Sequence, residues 1–279
     1  MISALRTRVK NVYTILLAYT RLEAVEDFSY PMTIVFDQLG KVFPVFLYYF
    51  VARLVEVNGG ANNDVGGDYY TFSVIGLSVA VVLQAALGGF GSRLERAQSQ
   101  GTFETMLVEP VPWTFVPIAM NVWRITISAV SCAAMLGFSA LLGAQYRLPA
   151  VPAFVGLLAL GALSCIGIGI LSASLMVLAK RSQPILVLYG LAASLLGGAL
   201  FPINVLPGWL QPFSYLVPHM YVINAARTVF MIEPPTDAMG VPQAVIILVV
   251  FNIVVLSVGM ALFSRALQYA RRLGTLSGY

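Results

Sequence analysis

From Leu148 to Ala179 the chain carries no charged side chain, and it carries none again from Ala238 to Ser264. No water-soluble domain needs two such runs, whereas a helix that crosses a bilayer needs about 20 consecutive apolar residues. The whole composition agrees: 59% of the 279 residues are hydrophobic, only 10% are charged, and the mean hydropathy is +0.85. Soluble domains carry about 25% charged residues. This chain cannot cover itself with polar surface, so the sequence predicts an all-α integral membrane protein.

The apolar runs predict six transmembrane helices: Thr33–Val55, Tyr69–Gly91, Trp113–Leu142, Ala153–Ala179, Pro184–Leu200 and Ala244–Leu267. The third and fourth exceed one crossing and are expected to tilt or protrude. Before the first, Leu5, Val9, Val12, Leu16 and Tyr19 recur at helical spacing with Arg6, Arg8 and Lys10 beside them. That pattern predicts an N-terminal amphipathic helix lying in the interface. It is not read as a signal peptide, because its apolar core is short and is followed by Arg21, Glu23, Glu26 and Asp27. The organisation expected is therefore an interface helix over 1–30, a six-helix domain over 31–272 and a tail over 273–279.

Basic residues set the orientation. Arg6, Arg8, Lys10 and Arg21 precede the first span, Arg93 and Arg96 follow the second, Lys180 and Arg181 follow the fourth, and Arg265, Arg271 and Arg272 close the sixth. The other side has only Arg53, Arg147 and Arg227. Both termini are expected in the cytoplasm of a cell whose cytoplasmic (inner) membrane this multi-pass chain crosses.

Two connections are unusual. The segment "FPINVLPGWLQPFSYLVPHMYVINAARTVF" is too apolar for an ordinary loop, and Pro202, Pro207, Pro212 and Pro218 break it too often for a span. Broken backbone at membrane depth is tolerated only when buried in protein or facing a cavity, so one or two short re-entrant helices are expected on the outer side. On the cytoplasmic side, "ERAQSQGTFETMLVEPV" starts at Glu95. Ser92 and Glu95 fit an S-x-x-E capping box for a new short helix. Ser99, Gln100 and Gly101 interrupt it, Thr102 can cap a second turn, and Phe103, Met106 and Leu107 share one face until Pro110 and Pro112 stop it. This is a preformed knob with an apolar face and acidic flanks.

Several functions are excluded or left without support. No basic patch interleaved with aromatics suggests nucleic-acid binding. His219 is the only histidine, and Cys132 and Cys165 lie in apolar runs, so no metal site is expected and both thiols read as packing groups. The three lysines, Lys10, Lys41 and Lys180, are followed by Asn, Val and Arg, so none completes a phosphate-binding loop.

Charges inside the spans carry more weight. Asp37 and Lys41 stand one turn apart in the first span and can neutralise each other. Arg124 in the third span has no such neighbour in sequence. Counted from Pro31 and Pro112, Lys41 and Arg124 lie at similar depth, about 15 and about 18 Å along their helices. The three residues are candidates for a translocation path that attracts an anionic head. Gly161, Cys165, Gly169 and Ala173 recur every four residues and predict close helix packing. The aromatics Phe36, Phe43, Phe46, Tyr48, Tyr49 and Phe50, with Tyr69, Tyr70 and Phe72, predict an outer interfacial belt.

The motifs "ER…GTFETML…PV" and "FP…LPGWLQ…S…P…Y…R" together resemble the permeases of ABC-2 type exporters, and the resemblance covers essentially the whole chain. It implies that the knob is a cytoplasmic coupling helix docking on a separate ATPase, through Glu95, Arg96, Gly101, Thr102, Phe103, Glu104 and Leu107. Four residues, "AQSQ", separate Glu95–Arg96 from Gly101–Thr102, more than the family pattern usually has. The resemblance further implies an outer gate around Phe201, Pro202, Pro207, Trp209, Pro218 and Arg227. Two ATPase copies would bind ATP and Mg, and this chain would hold no cofactor and perform no catalysis by itself. A second copy or a homologous permease would complete the path, in contact with the lipid bilayer and no nucleic acid. The expected cargo is an amphipathic small molecule or lipid, with a lipid-linked polysaccharide as the alternative. A channel or carrier without an ATPase is the competing class. A partial likeness of "GFSA", Gly137 to Ala140, to the G-x-S-G of rhomboid proteases, with His219 as base, is a remoter one.

Overall fold

The computed structural model describes residues 2–57, 68–101, 116–179, 183–235 and 239–273. Helices α1 (Ile2–Phe28), α2 (Pro31–Val57), α3 (Tyr69–Ser99), α4 (Val116–Leu141), α5 (Val151–Ala179), α6 (Gln183–Leu196), α7 (Gln211–Ser214), α8 (Pro218–Phe230) and α9 (Val241–Leu273) follow in order. Among the described residues there is no strand; an isolated bridge pairs Tyr146 with Met231. Beside that bridge the Arg147 amide donates to the Phe230 carbonyl at 2.9 Å, tying the connection after α4 to the end of α8.

Five helices, α2, α3, α4, α5 with its preceding turn, and α9, are long and apolar enough to cross a membrane. The expected span Pro184–Leu200 forms a shorter element. Its helix, α6, stops at Leu196, where the Gly197 amide returns to the Ala193 carbonyl and Gly198 takes φ +66°. A residue with that φ just past a helix is the common C-terminal stop, and glycine adopts it without strain. Fourteen residues rise only about 21 Å. The Pro-rich segment after α6, expected on the outer side, forms short helices, α7 and α8.

Three sequence expectations are corrected. The second span does not end at Gly91: α3 continues to Ser99 without a new start. Ser92 is therefore no cap. Its hydroxyl bonds back to the Gly89 carbonyl at 3.2 Å, as serines inside helices do. The true cap of α3 is Asp68, whose carboxylate accepts from the Tyr70 and Thr71 amides at 3.0 and 3.2 Å. The aromatics opening α3 do not form a belt either, because Tyr70 and Phe72 are buried. Most of the α2 aromatics, Phe36, Phe43, Phe46 and Phe50, are exposed on the bundle surface.

The core lies where α3, α5, α8 and α9 meet. Leu83, Leu87, Cys165, Ile166, Ile170, Val222, Ile223 and Leu248 fill it. The small-residue stripe of α5 works as packing. A Cβ on Gly169 would stand 2.7 Å from the Leu87 carbonyl oxygen, and one on Gly161 2.6 Å from the Val222 side chain. Helix α5 thus meets the backbone of α3 and the Val222 side chain of α8 with no room for a Cβ between them. Cys165 belongs to the same contact, 4.0 Å from His219 Nε2, and both cysteines are buried and free. Ser139 bonds to the Leu136 carbonyl and the Tyr146 hydroxyl. His219 is not among its partners, so the protease-like pair is not assembled.

Candidate functional site

Helix α1 is latched to the ends of α3 and α4 by charge. Arg93 of α3 pairs with Glu23 and, at 3.5 Å, with Glu26. Trp123 Nε1 of α4 donates to Asp27 at 2.6 Å, and its ring meets Phe28 edge-on with centroids 5.8 Å apart. After Phe28 the chain turns through Ser29 and Tyr30 into α2.

Between this latch, α2, α3, α4 and Ser194 of α6 lies a cavity of about 760 Å³. It is lined at one end by Glu23, Asp27, Arg93, Arg96, Trp123 and Arg124, and farther in by Asp37, Lys41, Leu77, Val81, Gln84 and Ile127. All three residues expected on a path therefore reach one space. Their depths differ from expectation. Helices α2 and α4 run side by side in register, with Ser131 donating to Gln38 at 2.6 Å and the Phe46 and Phe138 ring centroids 4.5 Å apart. Arg124 consequently stands level with the start of α2, and Lys41 lies about 15 Å deeper. Counting from Pro31 and Pro112 placed the two at one level, which the contact of Trp123 with Phe28 rules out.

The two cations also differ in how their charge is met. Lys41 is ion-paired with Asp37. Arg124 donates to Ser92 Oγ at 3.0 Å, half-buried, and among the described residues no carboxylate is in hydrogen-bond contact with it. A guanidinium has five N–H donors, so most of its fork remains available to the cavity. Gln84 faces the same space and is held by donating to the Gly190 carbonyl at 2.9 Å and to Ser194 Oγ at 3.1 Å.

The residues expected at an outer gate do not share one environment. Pro207 and Trp209 are exposed, Trp209 at 72%; Phe201 and Pro202 are half-buried; Pro218 and Arg227 are buried. Arg227 is a structural centre. Its Nε donates to the Phe72 carbonyl at 3.1 Å, Nη1 to Gly198 at 2.8 Å and Nη2 to Ala199 at 2.7 Å, and its plane lies 3.4 Å from the Phe72 ring centroid. It ties α8 to α3 and to the turn that ends α6.

Comparison with known families decides the identity: the family described as ABC-2 type transporter matches residues 18–231. The chain belongs to the ABC-2 type transporter family. No curated protein matches it. As a multi-pass ABC permease subunit it is the membrane part of a transporter, and the matched region runs from the α1 latch to the end of α8.

Of the permease's expected coupling residues, Glu95 and Arg96 lie in the last turns of α3, and Arg96 lines the cavity. Gly101 is exposed with φ +68° and terminates α3. Thr102, Phe103, Glu104 and Leu107 lie outside the described residues. The sequence reading missed Glu23, Asp27, Trp123 and Gln84 as cavity residues. The signal available was the cluster of acids, Glu23, Glu26 and Asp27, just ahead of a span, which needs cations to meet it.

Burial raises the Glu23 carboxyl above its ordinary 4.5, against the lowering pull of Arg93. A raised acid favours the docked state in its protonated form. Its stabilisation is complete below pH 4.5 and is lost as pH climbs through the docked value. Amide exchange in α1, corrected for intrinsic rates, should therefore quicken as pH rises from that range towards neutrality. In Glu23→Gln the corrected rates should be flat with pH.

Proposed function

We propose that this permease exports an amphipathic, lipid-like molecule with an anionic head from the cytoplasm outward, driven by two copies of a separate ATP-hydrolysing subunit. The carrying observation is the cavity: an under-committed guanidinium at one end and, farther in, apolar Leu77, Val81 and Ile127 beside Asp37 and Lys41, which neutralise each other. That gradient suits a molecule with a charged head and a hydrocarbon body. In this reading α6 and the turn after it, to Leu200, make the fifth of six crossings, and α7 and α8 form the re-entrant outer element. The excess of basic residues at the α3 end of the bundle supports a cytoplasmic position for that end and for both termini. The loop after Gly101 would meet the ATPase, and a second permease, identical or homologous, would close the path.

Transport is tested by ATP-dependent uptake of fluorescent lysophosphatidylglycerol into inverted vesicles carrying the permease and its ATPase. Losing one charge-assisted contact of about 1.5–3 kcal/mol predicts that Arg124→Gln lowers uptake at limiting substrate by roughly tenfold or more. Arg124→Lys should retain part of it. Undiminished uptake by Arg124→Gln at normal expression would remove Arg124 from the path. Uptake by the permease without any ATPase would favour the carrier class.

A further inference from the structure

On another face of the bundle, α5 and α9 run parallel and leave a groove of about 550 Å³, lined by Leu171, Ser174, Leu175, Leu262, Arg265 and Tyr269. Its walls are apolar; Arg265 and Tyr269, one turn apart on α9, mark one mouth, and Ser174 is turned back to the Ile170 carbonyl. That mouth has a definite level. Phe263 meets Phe90 edge-on at 5.3 Å, and Phe90 lies one turn before Ser92 and Arg93. Arg265 thus stands at the same basic end as Arg93 and Arg124.

Among the described residues no carboxylate pairs with Arg265. The sequence has no acidic side chain between Glu109 and Glu233 or after Asp237, so neither α5 nor α9 can supply one. Above the mouth, Ile246, Val250, Val254, Val258 and Leu262 form an exposed stripe at four-residue spacing along α9. It is about 24 Å long, enough to cross one leaflet of about 15 Å.

We propose that this groove is a binding site for one anionic phospholipid of the cytoplasmic leaflet. The phosphate accepts from the Arg265 guanidinium and the Tyr269 hydroxyl. One acyl chain enters between Leu175 and Leu262 and follows the stripe. The choice of an anionic lipid over a second protein surface follows from the charge: a partner face here would bury Arg265, and another copy of this chain has few carboxylates to meet it. The leaflet assignment rests on the orientation proposed above. Lipid retention does not depend on transport, so a failure here leaves the export reading standing.

The test is native mass spectrometry of the full-length permease in mild detergent, offered phosphatidylglycerol or phosphatidylcholine. Wild type should retain phosphatidylglycerol in preference. Arg265→Gln should lower that retention roughly tenfold, Tyr269→Phe should lower it less, and Arg265→Lys should keep most of it. Leu262→Trp fills the groove without touching the charge and should also release the lipid. Equal retention of the two lipids, or unchanged phosphatidylglycerol on Arg265→Gln, overturns the proposal. Loss of a permease dimer in Arg265→Gln with lipid retention intact overturns it too, in favour of a protein contact.

Discussion

Arg227→Leu should leave the permease markedly less stable, with its thermal midpoint in detergent lowered by roughly 10 °C. Three carbonyls, of Phe72, Gly198 and Ala199, depend on this one guanidinium, and the side chain is only 1% exposed. A hydrogen bond to a charged group contributes about 1.5–3 kcal/mol, and a buried polar group left without its partner costs a similar amount. Desolvation of the cation offsets part of this, leaving a net loss on the order of 3–5 kcal/mol. Arg227→Lys should recover little, since an ammonium cannot reach three carbonyls spread around a planar fork. The same joint can be opened from the opposite wall. A Cβ at Gly76 would stand 1.9 Å from the Ala199 oxygen and 2.3 Å from Arg227 Nη2, so Gly76→Ala should destabilise in the same direction. A midpoint unchanged in Arg227→Leu would show that the three contacts do not hold α8 in place.

Gly101→Trp should cut ATP-driven transport by at least about tenfold while moving the thermal midpoint by less than about 3 °C. The φ of +68° at Gly101 costs other residues about 1–2 kcal/mol, a small sum for the whole bundle. What it changes is the direction in which the chain leaves α3 towards Thr102, where the ATPase is proposed to grip. Gly101→Asn separates backbone from bulk, because asparagine enters the left-handed region more readily than other residues. It should retain most of the transport. Glu104→Arg should uncouple as well, with ATP hydrolysis continuing and uptake lost. Normal uptake in both Gly101→Trp and Glu104→Arg would place the drive of this transporter elsewhere.

The long helices were legible because each is a local property. An uninterrupted apolar run demands internal backbone hydrogen bonds in lipid, and only a helix provides them within one segment. Pro31 opens α2, as the sequence suggested; Gly101, expected to interrupt a separate short helix, closes α3 itself. One misreading came where one pattern serves two local structures. Ser92 and Glu95 have the spacing of a cap, yet a serine hydroxyl satisfied by the Gly89 carbonyl sits equally well inside a helix. The run from Pro184 to Leu200 is apolar throughout, but the glycine pair after Leu196 stops the helix early.

The candidate site was legible only in part. Asp37, Lys41 and Arg124 stood out because charge is costly within a span. Their sharing of one cavity, and the offset of about 15 Å between Lys41 and Arg124, depends on how α2 lies against α4, which no single segment records. The sequence by itself determined that this chain lives in a membrane, where its long helices run, and which motifs tie it to its family. Those follow from hydropathy and short-range chemistry, summed along the chain. Only the tertiary structure decided which charge meets which partner. Arg227 finds the Phe72 carbonyl across 155 residues, and Gln84 finds Gly190 across 106. A hydrogen bond is set by ångström distances between helices, and those distances come from packing that no stretch of sequence contains alone.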